Sequence, residues 1–339
     1  MRISKKCCTF VPGFWNAMKP VRFYTIKSSG GLRAEISNLG AKITKLLVPD
    51  AQGALVDVVL GFRTPEEWRT KETYFNAVCG RVANRIKNGT FTLQGNEYHL
   101  PINNGQNSLH GGIAGFNARV WDVVAQCPYE ITLHYHAKDG EEGYPANLDV
   151  YVTYTVTRDN TLRIHYEALT DAPTVVSLTN HAYFNLAGEG SGPVYEHILQ
   201  VFADTYTPLD ETACPTGKIA SVKGTPLDFI QPHAIGQYPL DHNWCLCPSD
   251  APRQLRHAAT LQAGARTMEC WTTMKGLQVY TGNFIEPNIG KSGKPYDVQH
   301  AVCLEAQNWP DAVHHPNFPS IVLLPGERLD ETAEYRFKS

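Results

Sequence analysis

Residues 148–168 read LDVYVTYTVTRDNTLRIHYEA. Leu148, Val150, Val152, Tyr154 and Val156 alternate with Asp149, Tyr151, Thr153 and Thr155. Arg158-Asp159-Asn160 supplies turn chemistry, and Leu162, Ile164, Tyr166 and Ala168 continue the alternation on the way back. A period of two places successive side chains on opposite faces, so this stretch predicts a long antiparallel hairpin with one apolar face. A shorter copy of the pattern has Phe91 and Leu93 on one arm, Gln94-Gly95-Asn96 at the turn, and Tyr98 and Leu100 on the other. Ile131, Leu133 and Tyr135 give a further strand, and the runs Leu55–Leu60 and Ser320–Leu324 read as more deeply buried ones. Helices are scarce. Thr64-Pro65-Glu66-Glu67 carries a capping box with proline at the first helical position, and the helix it starts should end within two or three turns. There is no βαβ alternation and no internal repeat. The expected fold is all-β: one large antiparallel β-sandwich with a few short helices over residues 20–339, preceded by a tail, residues 1–19.

Composition narrows the function. The chain has 339 residues, 42% hydrophobic and 19% charged, which is globular rather than disordered. Thirty Lys and Arg against 33 Asp and Glu leave a net charge of −3, unlike a basic nucleic-acid binder. No apolar run reaches the ~18 residues of a membrane span. Arg2, Lys5 and Lys6 precede an apolar stretch, but Pro12 and Gly13 interrupt it and no small-x-small cleavage site follows, so the segment reads as a tail. Nine cysteines at irregular spacings, with Cys245 and Cys247 two apart and no second cluster, point to a reduced, cytoplasmic protein rather than a disulfide or zinc scaffold. Exposed edge strands would permit a homodimer as well as a monomer.

In an all-β chain the polar residues crowded into loops and strand ends are the informative ones. Gly80-Arg81-Val82-Ala83-Asn84-Arg85-Ile86 offers two guanidinium forks and an amide, suited to hydroxyls or an anion, or alternatively to a solvated strand face. Asn107-Ser108-Leu109-His110-Gly111-Gly112 sets a histidine where backbone can approach a ligand closely, though a plain glycine turn would look the same. His181, within Thr179-Asn180-His181-Ala182-Tyr183-Phe184-Asn185, is a candidate general acid or a buried structural imidazole. Asp241-His242-Asn243-Trp244 could form a sugar platform, or Asp241 an Asx-turn. Glu305 follows the apolar Ala301-Val302-Cys303-Leu304, and a carboxylate at the end of a buried strand is improbable unless paired or used. The acidic loop Asp139-Gly140-Glu141-Glu142-Gly143 ranks below it. No H-x-x-x-H, phosphate loop or G-x-S-x-G elbow occurs, and neither metal nor organic cofactor is expected.

Seven segments together resemble the aldose 1-epimerases: GRVANRI at 80–86, NSLHGG at 107–112, DGEEGYP at 139–145, LTNHAYFNLAG at 178–188, DHN at 241–243, QVYTGNF at 278–284 and LEAQNWPDA at 304–312. They stand in the family's order and span nearly the whole chain after residue 20. The resemblance implies a galactose-mutarotase-like supersandwich that works without metal or cofactor. It implies Glu305 as general base and His181 as general acid. It also implies that Asn84, Arg85, His110, Asp241 and Gln278 hold the hydroxyls of a free aldohexose such as galactose or glucose. Ala182 and Ala306 stand where relatives often have Ser and Thr, and neither replaces an acid or base. His314-His315 receives no role. Three other functions are weighed. A hexose-6-phosphate mutarotase needs a cationic phosphate pocket. A glycoside hydrolase needs two carboxylates flanking the bond, with Glu141 and Glu142 the available second acids. A non-catalytic sugar-binding module would not need both Glu305 and His181.

Overall fold

The computed structural model describes residues 9–10, 19–71, 74–246 and 254–338. The rest of the tail, with Cys7 and Cys8, and Cys247 lie outside them. The hairpin forms as the alternation requires. Leu148–Val156 pairs antiparallel with Thr161–Thr170, from Leu148 opposite Thr170 to Val156 opposite Leu162. Asn160, at φ 57°, takes the left-handed turn position that asparagine tolerates. The apolar positions on both arms are fully buried, each worth ~1.5–3 kcal/mol of hydrophobic stabilisation.

Around this hairpin grows a ten-stranded antiparallel sheet. The neighbours outward on one side are Glu130–Ala137 and Asp122–Cys127, and on the other Leu329–Lys338, Arg266–Thr272 and Arg256–Ala263. A five-stranded sheet contains Asp241–Cys245, Gly276–Tyr280 and Cys303–Gln307 in adjacent positions, and a four-stranded sheet runs from Phe23–Lys27 to Leu55–Asp57. One apolar cluster joins all three. It takes Val150, Val152, Ile164 and Tyr166 from the large sheet, Leu277, Val279, Leu304 and Ala306 from the five-stranded one, and Ile36, Ile43 and Leu46 from the four-stranded one. This is the expected β-sandwich.

The short hairpin pairs Thr90–Leu93 with Asn96–His99, and Gln94 and Gly95 (φ 51° and 81°) make the two-residue turn. The helix is Pro65–Thr70, ending within two turns as expected, with both arms of the capping box in place. Its buried Trp68 packs edge-on against Phe62, ring centroids 5.3 Å apart. The two runs read as deeply buried strands are so only in part. In the first, Leu55–Asp57 is a strand with half-buried side chains, and Val58, Val59 and Leu60 beyond it are fully buried. In the second, Ile321 and Leu323 are inside while Val322 and Leu324 are each 38% exposed, because the two-residue strand there pairs only with Thr174–Val175 and has one packed face. Among the described residues no helix is long and apolar enough to cross a membrane; Cys127, Cys214 and Cys270 are free and buried, and Cys79, Cys245 and Cys303 are buried too.

Candidate active site

Three strands of the five-stranded sheet set one wall. Their register aligns Asn243 with Gln278 and Gln278 with Glu305, and Asp241 with Tyr280. Directly opposed residues share a face, and so do residues two apart. Leu277, Val279, Leu304 and Ala306 therefore enter the core, while Asp241, Gln278, Tyr280 and Glu305 stand on the opposite side. The same alternation sends Trp244 into the core at 0% exposure, so it is no platform for a ligand.

Loops make the other walls. Arg85–Ile86 pairs with Ser108–Leu109, which carries Asn84 and His110 to adjacent corners. The corners hold each other: the His110 N–H donates to the Asn84 carbonyl at 3.0 Å, and the Asn84 N–H donates to His110 Nδ1 at 3.1 Å. Both residues have positive φ, 61° at Asn84 and 52° at His110, a cost of ~1–3 kcal/mol each that the reciprocal bonds offset. Gly111 (φ 89°) cannot change, since a Cβ there would lie 1.8 Å from the Gly80 carbonyl oxygen. His181 follows the short strand Thr179–Asn180, and its N–H donates to the Ala77 carbonyl at 2.9 Å.

The walls enclose a cavity of about 190 Å³ lined by Tyr74, Asn84, Arg85, Asn104, Leu109, His110, His181, Tyr183, Asp241, Tyr280, Phe284 and Glu305. That is small beside the ~300–1,000 Å³ of drug-sized sites and suits a monosaccharide. Glu305 is 2% exposed, and its Oε1 lies 3.6 Å from His181 Nε2. Its Oε2 has no hydrogen-bond partner, and neither has His181 Nδ1. Buried polar atoms are rarely left so, at ~1–3 kcal/mol each, unless a ligand completes them. Arg85 donates from Nε to Asn104 Oδ1 at 2.9 Å and sets Nη1 3.8 Å from Asp241 Oδ2. Gln278 donates to Asp241 Oδ1 at 2.6 Å. Tyr183 stacks on His181 with centroids 4.8 Å apart.

Burial governs the protonation states. It raises the Glu305 carboxyl well above the usual carboxylate range, the charge of Asp241 adds to this, and Arg85 opposes it. It lowers His181 to about 3. It also holds His110 well below an ordinary imidazole, with His181 and Arg85 acting in the same direction. Burial thus favours the uncharged form of each partner, carboxylic acid beside neutral imidazole. His110, His181 and Glu305 bring donor atoms within 4.8 Å of one another, as a metal site would. The His110 tautomer does not fit a metal. Its Nδ1 accepts from a backbone N–H, so the neutral ring carries its proton on Nε2 and offers a donor there rather than a lone pair.

The chain is similar to known proteins over most of its length. The aldose 1-epimerase sequence pattern matches residues 22–336. The chain is 45% identical to a galactose mutarotase of Bos taurus over 320 residues, 91% of this chain and 92% of that one. The chain belongs to the aldose 1-epimerase family. It is an isomerase, a mutarotase. An aldose 1-epimerase of Escherichia coli is 33% identical over 333 residues, covering 94% of this chain and 96% of its own. An aldose epimerase homologue from C. elegans superposes with a TM-score of 0.88 at 32% identity, covering 94% of this chain and 99% of that one.

Of the residues expected from family motifs, Asn84, Arg85, His110, His181, Asp241 and Glu305 line one cavity. Gln278 does not line it but stands behind Asp241. Arg81, the other guanidinium of GRVANRI, is buried elsewhere, donating to the Ala146 carbonyl and Thr174 Oγ1 at 3.0 Å each. The acidic loop is a brace: Glu142 accepts the Ile113 N–H at 2.9 Å, and Glu141 the Tyr135 hydroxyl at 2.8 Å. Sequence reasoning missed Tyr74, Asn104, Tyr183, Tyr280 and Phe284. Tyr183, Tyr280 and Phe284 lie inside quoted motifs and could have been taken with their neighbours. Nothing local marks Tyr74 or Asn104.

Proposed function

We propose that this mutarotase interconverts the α and β anomers of free aldohexoses, galactose and glucose, with Glu305 and His181 as its acid–base pair. The observation that supports this most is the buried pair itself, 3.6 Å apart with Glu305 Oε2 unpartnered. Ring opening removes the proton of the C1 hydroxyl and delivers one to the ring oxygen. The C1–O5 bond breaks, the aldehyde forms, the C1–C2 bond rotates, and closure reverses each step. No electrons leave and no group is transferred, so one shared proton suffices. With sugar bound, proton transfer across the pair yields carboxylate and imidazolium. The carboxylate takes the C1 proton and the imidazolium protonates O5. The raised carboxyl makes a stronger base than an exposed glutamate, and each general acid–base contribution is worth ~10²–10⁴-fold.

His110, donating from Nε2, and Arg85 serve as donors to sugar oxygens and stabilise charge that develops there. Asp241, steadied by Gln278 and Arg85, serves as an acceptor for hydroxyls, and Asn84 reads another. The aromatic rings of Tyr74, Tyr183, Tyr280 and Phe284 supply apolar faces for C–H groups. Arg85 is the single Lys or Arg among the cavity-lining residues, which favours a neutral sugar over a 6-phosphate. The free, buried thiols of Cys127, Cys214 and Cys270 support a cytoplasmic setting.

Polarimetry tests the reading. Crystalline α-D-galactose or α-D-glucose is dissolved with protein and its rotation followed against a blank. Faster decay to the same end point is expected with both. Decay at the blank rate with both, and acceleration with a hexose 6-phosphate, would overturn the free-sugar assignment.

A further inference from the structure

The histidine pair His314-His315 finds its place at a buried carboxylate that touches no substrate. Asp311 lies six residues beyond Glu305, where the chain leaves the strand Cys303–Gln307. It is 2% exposed and takes a left-handed φ of 56°. Its N–H donates to the Arg85 carbonyl at 3.1 Å. Its Oδ1 accepts the Lys87 N–H at 3.0 Å, so it grips the backbone on both sides of Ile86. His314 Nδ1 lies 2.7 Å from the same oxygen and His315 Nε2 3.4 Å from Oδ2. Lys87 Nζ is tied in turn to Asp210 at 2.6 Å.

We propose that Asp311, held by His314, is a positioning residue for Arg85, fixing the guanidinium strand to the strand that carries Glu305. This rests on the sugar-binding role of Arg85. A strained backbone and a carboxylate with fully buried oxygens are an expensive way to close a surface loop. They are explicable if the register between two catalytic walls must hold to a fraction of an ångström, since a misplacement of ~1 Å far from the chemistry can cost ~10²-fold.

The test is a double-mutant cycle read by steady-state polarimetry, with thermal melting to confirm the fold. Asp311→Ala should raise KM for galactose about tenfold with kcat altered less than about threefold, within the range of coupled neighbours. Asp311→Asn keeps an acceptor for the Lys87 N–H and should recover most of the loss. In an Arg85→Ala background Asp311→Ala should add less than about twofold to KM, because the residue it positions is gone. Should Asp311→Ala not fold, Asp311→Asn and His314→Gln carry the same cycle with smaller steps. An unchanged KM in Arg85→Ala overturns both the role of Arg85 and this inference. A raised KM in Arg85→Ala, with Asp311→Ala either leaving KM unchanged in the wild-type background or multiplying KM in full in the Arg85→Ala background, overturns the positioning role alone.

Discussion

Two acid–base pairs, Lys291–Asp57 and His181–Glu305, are built to opposite ends. Lys291 and Asp57 line the larger cavity, about 620 Å³, on the far side of Phe62 and Trp68. Their contact is 2.8 Å, Lys291 also donates to the Thr44 carbonyl at 2.8 Å, and Asp57 accepts the Leu46 N–H at 3.1 Å. His181 and Glu305 line the smaller cavity at 3.6 Å, with an oxygen and a nitrogen unpartnered. The first pair is closed by its neighbours and ties strands together. The second lacks partners that a sugar could supply. Cavity size therefore misleads here, and the convergence of an acid, a base and unpartnered polar atoms on one cavity marks the site.

The contrast breaks most severely at His181. His181→Asn should cut kcat by about 10²–10⁴-fold while the melting temperature stays near wild type. Lys291→Met should do the reverse: it leaves the half-buried Asp57 without its cation, a stability loss of about 1–3 kcal/mol by denaturant melts, with turnover of the folded fraction retained. Adding Asp57→Leu should restore most of that loss, and failure to restore it would show the pair to be more than a structural tie.

A pH profile sharpens the comparison. The working pair carries one proton. Acid adds a second only as His181 titrates, at about 3, and base removes the first only above the raised Glu305 carboxyl. kcat/KM should therefore show no acid limb between pH 7 and 5, and one near 6.5 would mean an ordinary, solvated histidine. The smallest effect lies at the helix. Thr64→Ala removes the side-chain oxygen that caps Glu67 and should cost ~1 kcal/mol of stability with no change in kcat.

These elements also differ in how far the sequence revealed them. The hairpin 148–170 and the capping box at Thr64 were legible because their signals are local: a period of two, and two side chains three residues apart. His181, Glu305 and the residues around them were legible through ordered family motifs, not through chemistry alone. Trp244 shows where composition misled, since an aromatic among polar residues belonged to the strand's other face. The runs at 55–60 and 320–324 misled in part, because burial depends on what packs against each face. Tyr74 and Asn104 reach the cavity by long-range loop placement, and Lys291 meets Asp57 across 234 positions, which no local pattern announces.

The most direct test is Glu305→Gln, which keeps the shape of the side chain and removes its capacity to take a proton. With the variant folded, by an unchanged melting transition, the decay of α-D-galactose rotation should slow by at least about 10²-fold relative to wild type. Decay at near wild-type rate would contradict the account, because the buried pair would then not be what opens the ring.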